Sequence, residues 1–156
     1  MLKPPSANEI RLAYDILTYV GIIEQLTRTR AGKGLRGAGI AYPQFVMLNH
    51  FRRRPPDEPK TVTSISRAMQ QPQPGVTKTL QKMLAQGLIK AIDSPDDARS
   101  RLLALTPKGL KAHDKALAIL SDQFRAAFAD WTESEMAAFF QHLAKLKGWM
   151  DTEGRK

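Results

Sequence analysis

Residues 72–109 read PQPGVTKTLQKMLAQGLIKAIDSPDDARSRLLALTPKG and carry the strongest structural signals in the chain. Pro72-Gln73-Pro74-Gly75 predicts a tight turn, and Pro74 suits the first position of a helix that runs to Gly87, because glycine is typical just after a helix end. Two apolar-rich segments, 88–92 and 101–105, predict strands on either side of a polar turn. We therefore expect a helix that is followed at once by a charged β-hairpin.

Two further short helices are expected before this turn. Residues 41–51 predict a helix with Pro43 in its first turn and with Phe45, Leu48 and Phe51 pointing inward. The proline-rich segment 55–59 excludes helix, so that residues 60–62 can form only a very short strand. Thr63 is the predicted N-cap of the next helix, which ends near Gln71. Two short helices across a tight turn predict a helix-turn-helix, and the hairpin makes it a winged helix.

Longer helices flank this lobe. Apolar residues between Ile10 and Leu26 occupy a face that is broader than one packing partner needs. The glycine-rich segment 31–39 predicts a flexible basic connector. Thr106 and Pro107 predict the start of a long helix with apolar residues as far as Trp131, and Thr132 with Glu135 forms a capping box for the last helix. The expected fold class is mainly α with a small β-hairpin wing (α+β), in a single unit over 1–156.

The amino-acid composition narrows the range of possible functions. The chain has 156 residues, 24 Lys and Arg against 15 Asp and Glu, and no cysteine. The absence of cysteine excludes disulfides, thiolate nucleophiles, Cys-ligated zinc and thiol-based redox sensing. The formal charge is +7 over residues 52–111 but +3 before and −1 after them, so the middle of the chain is expected to face an anionic partner such as nucleic acid. We find no signal peptide or membrane-spanning stretch and expect a cytoplasmic protein.

The fourth helix carries a face that could read bases. At about 100° per residue, Val76, Leu80, Met83 and Leu84 fall on one side of it and Thr77, Lys78, Gln81 and Lys82 on the other. Lys and Gln can bond base edges in the major groove, and Lys can also hold a phosphate. An ordinary solvent-exposed helix face would show the same pattern. The elements next to this helix must therefore decide between DNA binding and simple exposure.

The hairpin supplies that context. Arg99 and Arg101 lie where the tip of a wing would reach the minor groove or the phosphates beside it. The alternative is a solvated tip in which these arginines pair locally with Asp93, Asp96 or Asp97. Arg52-Arg53-Arg54 could likewise follow a phosphate backbone or simply complement the dipole of a helix end.

Three segments together resemble the MarR family of multiple antibiotic resistance regulators: 84–89 (LAQGLI), 94–101 (SPDDARSR) and 105–109 (LTPKG). The resemblance implies a homodimer on a pseudo-palindromic operator in double-stranded DNA. It assigns 41–109 to the DNA-binding lobe and 8–30 and 110–151 to dimerisation helices. It implies that Asp97 braces the wing and that the DNA-binding residues are Gln73, Pro74, Thr77, Lys78, Gln81, Lys82, Arg99 and Arg101. Ala98, where the family commonly has a basic residue, and the proline-rich start of the fourth helix depart from the pattern.

The resemblance also implies a repressor that responds to a small molecule, with a pocket between the dimer helices and the DNA-binding lobe. Tyr14, Phe45 and His113 are the candidate lining residues, although an aromatic residue in such a place is more often ordinary core. The peroxide-sensing branch of the family is excluded because its thiol is missing.

Other functions have weaker support in the sequence. Residues 32–37 match G-x-G-x-x-G but lack the preceding strand and following helix of a dinucleotide site. His50, His113 and His142 are too far apart to indicate a metal site, and no catalytic arrangement is visible, so we expect no metal, no cofactor and no enzymatic activity. The alternative function is a winged-helix interaction module that binds an acidic protein. A DNA reader would instead hold two fourth helices about 34–36 Å apart.

Overall fold

The computed structural model describes residues 4–53, 60–93 and 101–152, and of Arg101 it describes the backbone alone. The helices are α1 (Ala7–Gly34), α2 (Tyr42–Arg53), α3 (Val62–Met69), α4 (Gln73–Ala85), α5 (Pro107–Arg125) and α6 (Glu133–Thr152). The strands are β1 (Ile89–Asp93) and β2 (Arg101–Leu105), and short 3₁₀ turns cover Leu35–Ala38 and Ala126–Phe128. The predicted fold class, mainly α with a two-stranded wing, is confirmed.

Compact packing divides the chain into two units, and the division falls after Leu120, within α5. The core of the first unit is built mainly from α2, α3, α4, the hairpin and the 3₁₀ turn at Leu35–Ala38. Its fully buried large side chains are Phe51, Leu35, Met47, Leu48, Ile65, Leu80, Met83, Ile89 and Val76. As predicted, Phe45, Leu48 and Phe51 point inward from α2.

The glycine-rich segment 31–39 is not the flexible connector that its composition predicts. Helix α1 continues to Gly34, and a 3₁₀ turn follows at once. Ala31 and Leu35 are both fully buried, and an added Cβ at Gly37 would lie 3.7 Å from Ile119 Cδ1. Burial of these apolar residues outweighs the low helix propensity of the glycines, which is a weak preference. Only Gly39, at φ +72°, uses glycine's backbone freedom, where it ends the turn.

The start of α3 also differs from the prediction. Thr61, not Thr63, is the N-cap, and its hydroxyl accepts a hydrogen bond from Ser64 N at 3.0 Å. The short strand expected at 60–62 is a single bridge, in which Lys60 exchanges two backbone hydrogen bonds with Leu103. This bridge places the residue before Thr61 against β2, so that the helix can begin two residues earlier than expected.

The second unit contains the C-terminal end of α5 and the whole of α6. The apolar periodicity that extends to Trp131 is interrupted, because α5 ends at Arg125 and a 3₁₀ turn follows. Trp131 packs edge-on to Phe128 at 5.5 Å and against Phe139 at 5.6 Å between ring centroids. The predicted capping box at α6 is confirmed: Thr132 N donates to Glu135 Oε2 at 2.8 Å and Glu135 N donates to Thr132 Oγ1 at 3.2 Å.

Candidate nucleic-acid interface

Helix α4 separates a core face from a solvent face. Val76, Leu80 and Met83 are 0%, 2% and 0% exposed. On the opposite side Lys78, Gln81 and Lys82 are exposed and Thr77 is partly buried, while Gln73 and Pro74 are exposed in the first turn. We call Thr77, Lys78, Gln81 and Lys82 the reading face. Its exposure agrees with the sequence analysis, and its contact with DNA stays a prediction.

One residue assigned to the core face of α4 lies elsewhere. Leu84 is 37% exposed, because it lies at the edge of the apolar stripe rather than at its centre. The core contact of this helix therefore rests on Val76, Leu80 and Met83.

The turn before α4 is set by backbone geometry. Gln70 adopts a left-handed conformation, φ 50°, which ends α3. Gln71 N then donates to Ser66 O at 3.2 Å, and Pro72 precedes the first turn of α4. Proline fits this first turn because the amide it lacks has no partner within a helix there. The sequence Gln70-Gln71-Pro72 thus turns the chain from α3 into α4.

The end of α4 is a glycine-based C-cap. Gly87 has φ +69°, Leu88 N donates to Met83 O at 2.9 Å, and Gly87 N donates to Leu84 O at 2.9 Å. This geometry is the Schellman type, which satisfies the last carbonyls of a helix. It turns the chain directly into β1, as the sequence predicts.

The wing is a regular antiparallel pair in which Ile89 faces Leu105 and Asp93 faces Arg101. The candidate wing residues Asp97 and Arg99 lie outside the described residues, as does the side chain of Arg101. The backbone register does place Arg101 at the end of the ladder away from α4. Its role in DNA contact stays a prediction.

The base of the wing is fastened to the first turn of α5. The Thr106 hydroxyl lies 2.7 Å from Gly87 O and 3.0 Å from Leu88 O, and it accepts a hydrogen bond from Gly109 N at 3.0 Å. Thr106 N also donates to Leu88 O at 3.1 Å. These bonds fix the corner between α4 and β1 relative to α5. The sequence predicts Thr106 at the start of α5 but not its bonds to Gly87 and Leu88.

The three candidate ligand residues are not equivalent. Phe45 and His113 are buried and stack with ring centroids 5.8 Å apart. His113 Nε2 lies 2.7 Å from Asn49 Oδ1, and its Nδ1 lies 3.6 Å from Asp114 Oδ1. Tyr14 is 70% exposed on α1. The structure therefore brings Phe45 and His113 together, and a ligand role for all three stays a prediction.

A groove beside the reading face was not found by sequence reasoning. It has a volume of about 470 Å³ and is lined by the start of α2 and the second half of α4: Gly39, Ala41, Pro43, Gln44, Thr79, Lys82, Ala85 and Gln86. Gln44 is 5% exposed, accepts a hydrogen bond from Ala41 N at 2.8 Å and donates one to Gln86 Oε1. Gln44 and Gln86 are 42 residues apart, and no local pattern could have paired them.

The chain segment that contains α2, α3 and α4 is basic in sequence. Residues 25–92 contain 12 Lys and Arg but only two acidic residues, Asp57 and Glu58. Within this stretch Lys33, Arg36, Arg67, Lys78 and Lys82 are exposed. Exposed basic side chains attract polyanions over a distance of about 8–10 Å at physiological salt.

Metal and membrane sites find no support in the described part of the chain. Within residues 4–53, 60–93 and 101–152, no group of three or more His, Asp or Glu is arranged to hold a metal ion. In the same residues no helix is long and apolar enough to cross a membrane.

Comparison with known proteins agrees with this geometry. Residues 38–100 match the sequence model of the MarR family. Comparison with curated protein sequences gives no match. Among solved structures, the chain is similar to the regulator BldR from Sulfolobus solfataricus, with a TM-score of 0.78 at 18% identity over 90% of this chain and 97% of that one.

Two structures from Staphylococcus aureus are also similar. One is MarR in complex with salicylate and kanamycin, with a TM-score of 0.77 at 21% identity over 92% of this chain and 95% of that one. The other is a MepR–DNA complex, with a TM-score of 0.69 at 20% identity over 85% of this chain and 94% of that one. The family match covers residues 38–100, and over most of its length the chain shares the winged-helix fold of these solved structures.

Proposed function

We propose that this protein is a transcription regulator that binds double-stranded DNA as a homodimer, with one α4 in each half of a pseudo-palindromic operator. The observation that carries the proposal is the reading face. Lys78, Gln81 and Lys82 are exposed on α4, the second helix of the helix-turn-helix, and the opposite side of α4 is anchored by the buried Val76, Leu80 and Met83. A helix fixed in this way can present its side chains to base edges without losing its own packing.

The proposed dimer is supported by apolar surface on α1 and α6. Ten large apolar side chains of α1 are between 38% and 70% exposed: Ile10, Leu12, Tyr14, Ile16, Leu17, Tyr19, Val20, Ile22, Ile23 and Leu26. On α6, Met136, Phe139, Phe140, Trp149 and Met150 are between 37% and 66% exposed. Exposed apolar surface of this extent on each helix is typical of an obligate interface, and soluble monomers rarely leave it uncovered.

The proposed regulation is repression that a small molecule relieves. It rests on the family and on the similar structures, of which one contains DNA and another contains salicylate and kanamycin. No geometry in this chain distinguishes a repressor from an activator, so the sign of regulation is tested by transcription from the selected operator with and without the protein.

DNA binding is tested on an operator selected from genomic fragments with the purified protein. We expect the affinity to fall steeply between 50 and 200 mM salt, by about 10³-fold if six phosphates are contacted, because bound cations displace counterions. Lys78→Ala and Gln81→Ala should each cost about 1–3 kcal/mol and relax base preference at defined positions. Fluorescence anisotropy on the operator and on single-base variants measures both effects.

A matched control is Lys115→Ala, which removes an exposed lysine from α5 and leaves α4 unchanged. It should bind like the wild type. Salt-independent binding, or wild-type affinity in both α4 variants, would contradict the proposal and favour the module that docks an acidic protein.

The dimer is tested by light scattering of the purified protein, where a homodimer has twice the chain mass of 17.4 kDa. Leu17→Arg, at a side chain that is 47% exposed, should shift the mass toward the monomer because it places a charge in the apolar surface. A monomeric wild type at micromolar concentration would contradict the dimer.

A further inference from the structure

Gln44 is a buried polar side chain that forms hydrogen bonds in two directions. It is 5% exposed and is the third residue of α2. Its Oε1 accepts a hydrogen bond from Ala41 N at 2.8 Å, which is one half of a capping box at the start of α2. Its Nε2 donates to Oε1 of Gln86, the residue just after α4. One side chain therefore joins the start of α2 to the end of α4.

Gln86 is held from a second side as well. Its backbone carbonyl accepts a hydrogen bond from Lys108 Nζ at 2.7 Å, and Lys108 belongs to the first turn of α5. Its backbone N donates to Lys82 O at 3.0 Å and so closes the last turn of α4. Lys108 is exposed whereas Gln44 is buried, so the bond from Gln44 is the stronger of the two links, because a hydrogen bond gains strength away from water.

The apolar contacts of α4 stabilise its attachment more than they define its orientation. Val76, Leu80 and Met83 are buried, but the hydrophobic effect that favours their burial has no preferred direction. A hydrogen bond, by contrast, weakens steeply when its donor and acceptor are not aligned. A side chain that recognises a ligand must be held within about 0.5 Å and 10–20° of its productive geometry. A directional bond at the end of α4 supplies such a constraint.

The bond between Gln44 and Gln86 acts on one end of the reading face. At about 1.5 Å per residue, Gln86 lies about 7–8 Å along the helix from Gln81 and about 12 Å from Lys78. The N-terminal end of α4 has a separate restraint, the backbone hydrogen bond between the preceding turn and α3. Loss of the glutamine pair would therefore displace Gln81 more than Lys78.

We propose that Gln44 is a positioning residue for DNA recognition: through Gln86 it sets the orientation of the C-terminal half of α4, and so determines how strictly Gln81 selects its base pair. The inference rests on the proposed function, since it requires that α4 reads DNA. Gln44 acts without touching DNA, because its side chain is buried and its Oε1 and Nε2 are both bonded within the chain.

The assay compares affinity for the selected operator with affinity for its single-base variants, by fluorescence anisotropy with the full-length protein. Gln81→Ala and Lys78→Ala first identify the base pairs that each side chain reads. Gln86→Met, at an exposed residue, then removes the bond to Gln44 and leaves the cap of α2 in place. It should lower discrimination about fivefold at the base pairs that Gln81 reads, the factor that corresponds to one hydrogen bond, and less than about twofold at those that Lys78 reads.

Gln44→Glu is the conservative control. Its carboxylate can accept the bond from Ala41 N, and the amide of Gln86 can turn over and donate to it, so that both links are kept. A carboxylate also suits the first turn of a helix. This variant should discriminate like the wild type, whereas Gln44→Met should lose discrimination as Gln86→Met does.

A purely structural role for Gln44 would give a different result. It would lower the fraction of protein that is competent to bind, which reduces the affinity for every DNA sequence by the same factor and leaves the ratios between sequences unchanged. The ratios therefore report positioning, and the absolute affinities report stability. Should Gln44→Met fail to fold, Gln86→Met and Gln44→Glu decide the question alone.

The outcomes are distinct. Wild-type discrimination in Gln86→Met, a loss that is equal at every base pair, or the same loss in Gln44→Glu as in Gln44→Met would overturn the positioning role and leave DNA binding intact. An operator on which Gln81→Ala has no effect would overturn it as well. A wild-type protein that does not distinguish the operator from its single-base variants would overturn the proposed function, and the positioning role with it.

Discussion

Replacing Gly109 by alanine should destabilise the protein, although alanine is the better helix former. Gly109 lies in the first turn of α5, where an added Cβ would stand 2.0 Å from Leu88 O, 2.8 Å from Leu105 Cδ1 and 2.9 Å from Leu88 C. The two backbone atoms cannot rotate away as a side chain could. The Leu88 carbonyl and the start of α5 must therefore separate by about 1 Å before the methyl group fits.

The cost follows from the bonds at this corner. Thr106 supplies two donors at this corner. Its single hydroxyl proton is shared between Gly87 O at 2.7 Å and Leu88 O at 3.0 Å, and its backbone N donates to Leu88 O at 3.1 Å. Each donor contributes about 1 kcal/mol net, so the loss of both costs about 2 kcal/mol. The higher helix propensity of alanine offsets about 1 kcal/mol of this loss. We expect a net loss of about 1 kcal/mol, or a fall of about 2–4 °C in Tm for a chain of this size.

Urea unfolding followed by circular dichroism measures this difference, at one protein concentration because a dimer's stability depends on it. The matched control is Gly32→Ala in α1, where an added Cβ meets nothing within 4 Å. It should raise stability by about 0.5–1 kcal/mol through helix propensity alone. A Gly109→Ala midpoint equal to or above that of the wild type, with an unchanged urea slope, would refute the steric argument.

Two further predictions concern caps. Gly87→Ala should lower the free energy of unfolding by about 1 kcal/mol, because a φ of +69° is unfavourable for alanine, whereas the new Cβ would meet only Lys108 Cδ, at an ordinary 3.9 Å. Urea unfolding of this variant beside Gly32→Ala measures the effect. An unchanged midpoint would contradict a cost of the backbone conformation. In the α6 cap, hydrogen bonds from the backbone and side chain of Thr132 hold the pKa of Glu135 below its ordinary value of 4.5. A carboxyl with a lowered native pKa stabilises the fold above 4.5 and loses that effect as the pH falls through the native pKa. Glu135→Gln, which can still cap the helix, should therefore lose less stability than the wild type between pH 6 and pH 3 in urea titrations, and equal losses would contradict the assignment.

The sequence predicts the winged lobe well because the residues that begin and end its helices act locally. Gly87 after α4 and Thr106-Pro107 at the start of α5 each act on their own turn of backbone, and the structure places them where the pattern predicts. Pro74 is displaced by one position, because α4 begins at Gln73 and Pro74 is its second residue. The broad apolar face of α1 is likewise visible in the sequence as a helical period, and its large apolar side chains are exposed in the structure.

The failures have a different origin, in contacts between distant segments. The glycines at 32 and 34 predict a connector, but the burial of Ala31 and Leu35 keeps the segment helical. Thr61 becomes the cap of α3 because Lys60 is bridged to Leu103, more than forty residues away. The groove depends on the pairing of Gln44 with Gln86 in the same way. Local patterns carry no information about which distant residue completes such a contact.

Helix α4 packs through one set of residues and exposes another, and this separation affects how the protein can change during evolution. Its attachment to the lobe depends on Val76, Leu80 and Met83, whereas Lys78 and Gln81 project from the far side. Exposed substitutions of that kind usually alter folding free energy by no more than about 0.5 kcal/mol. Under the proposed function, substitutions at Lys78 and Gln81 would change the preferred DNA sequence and leave the fold intact.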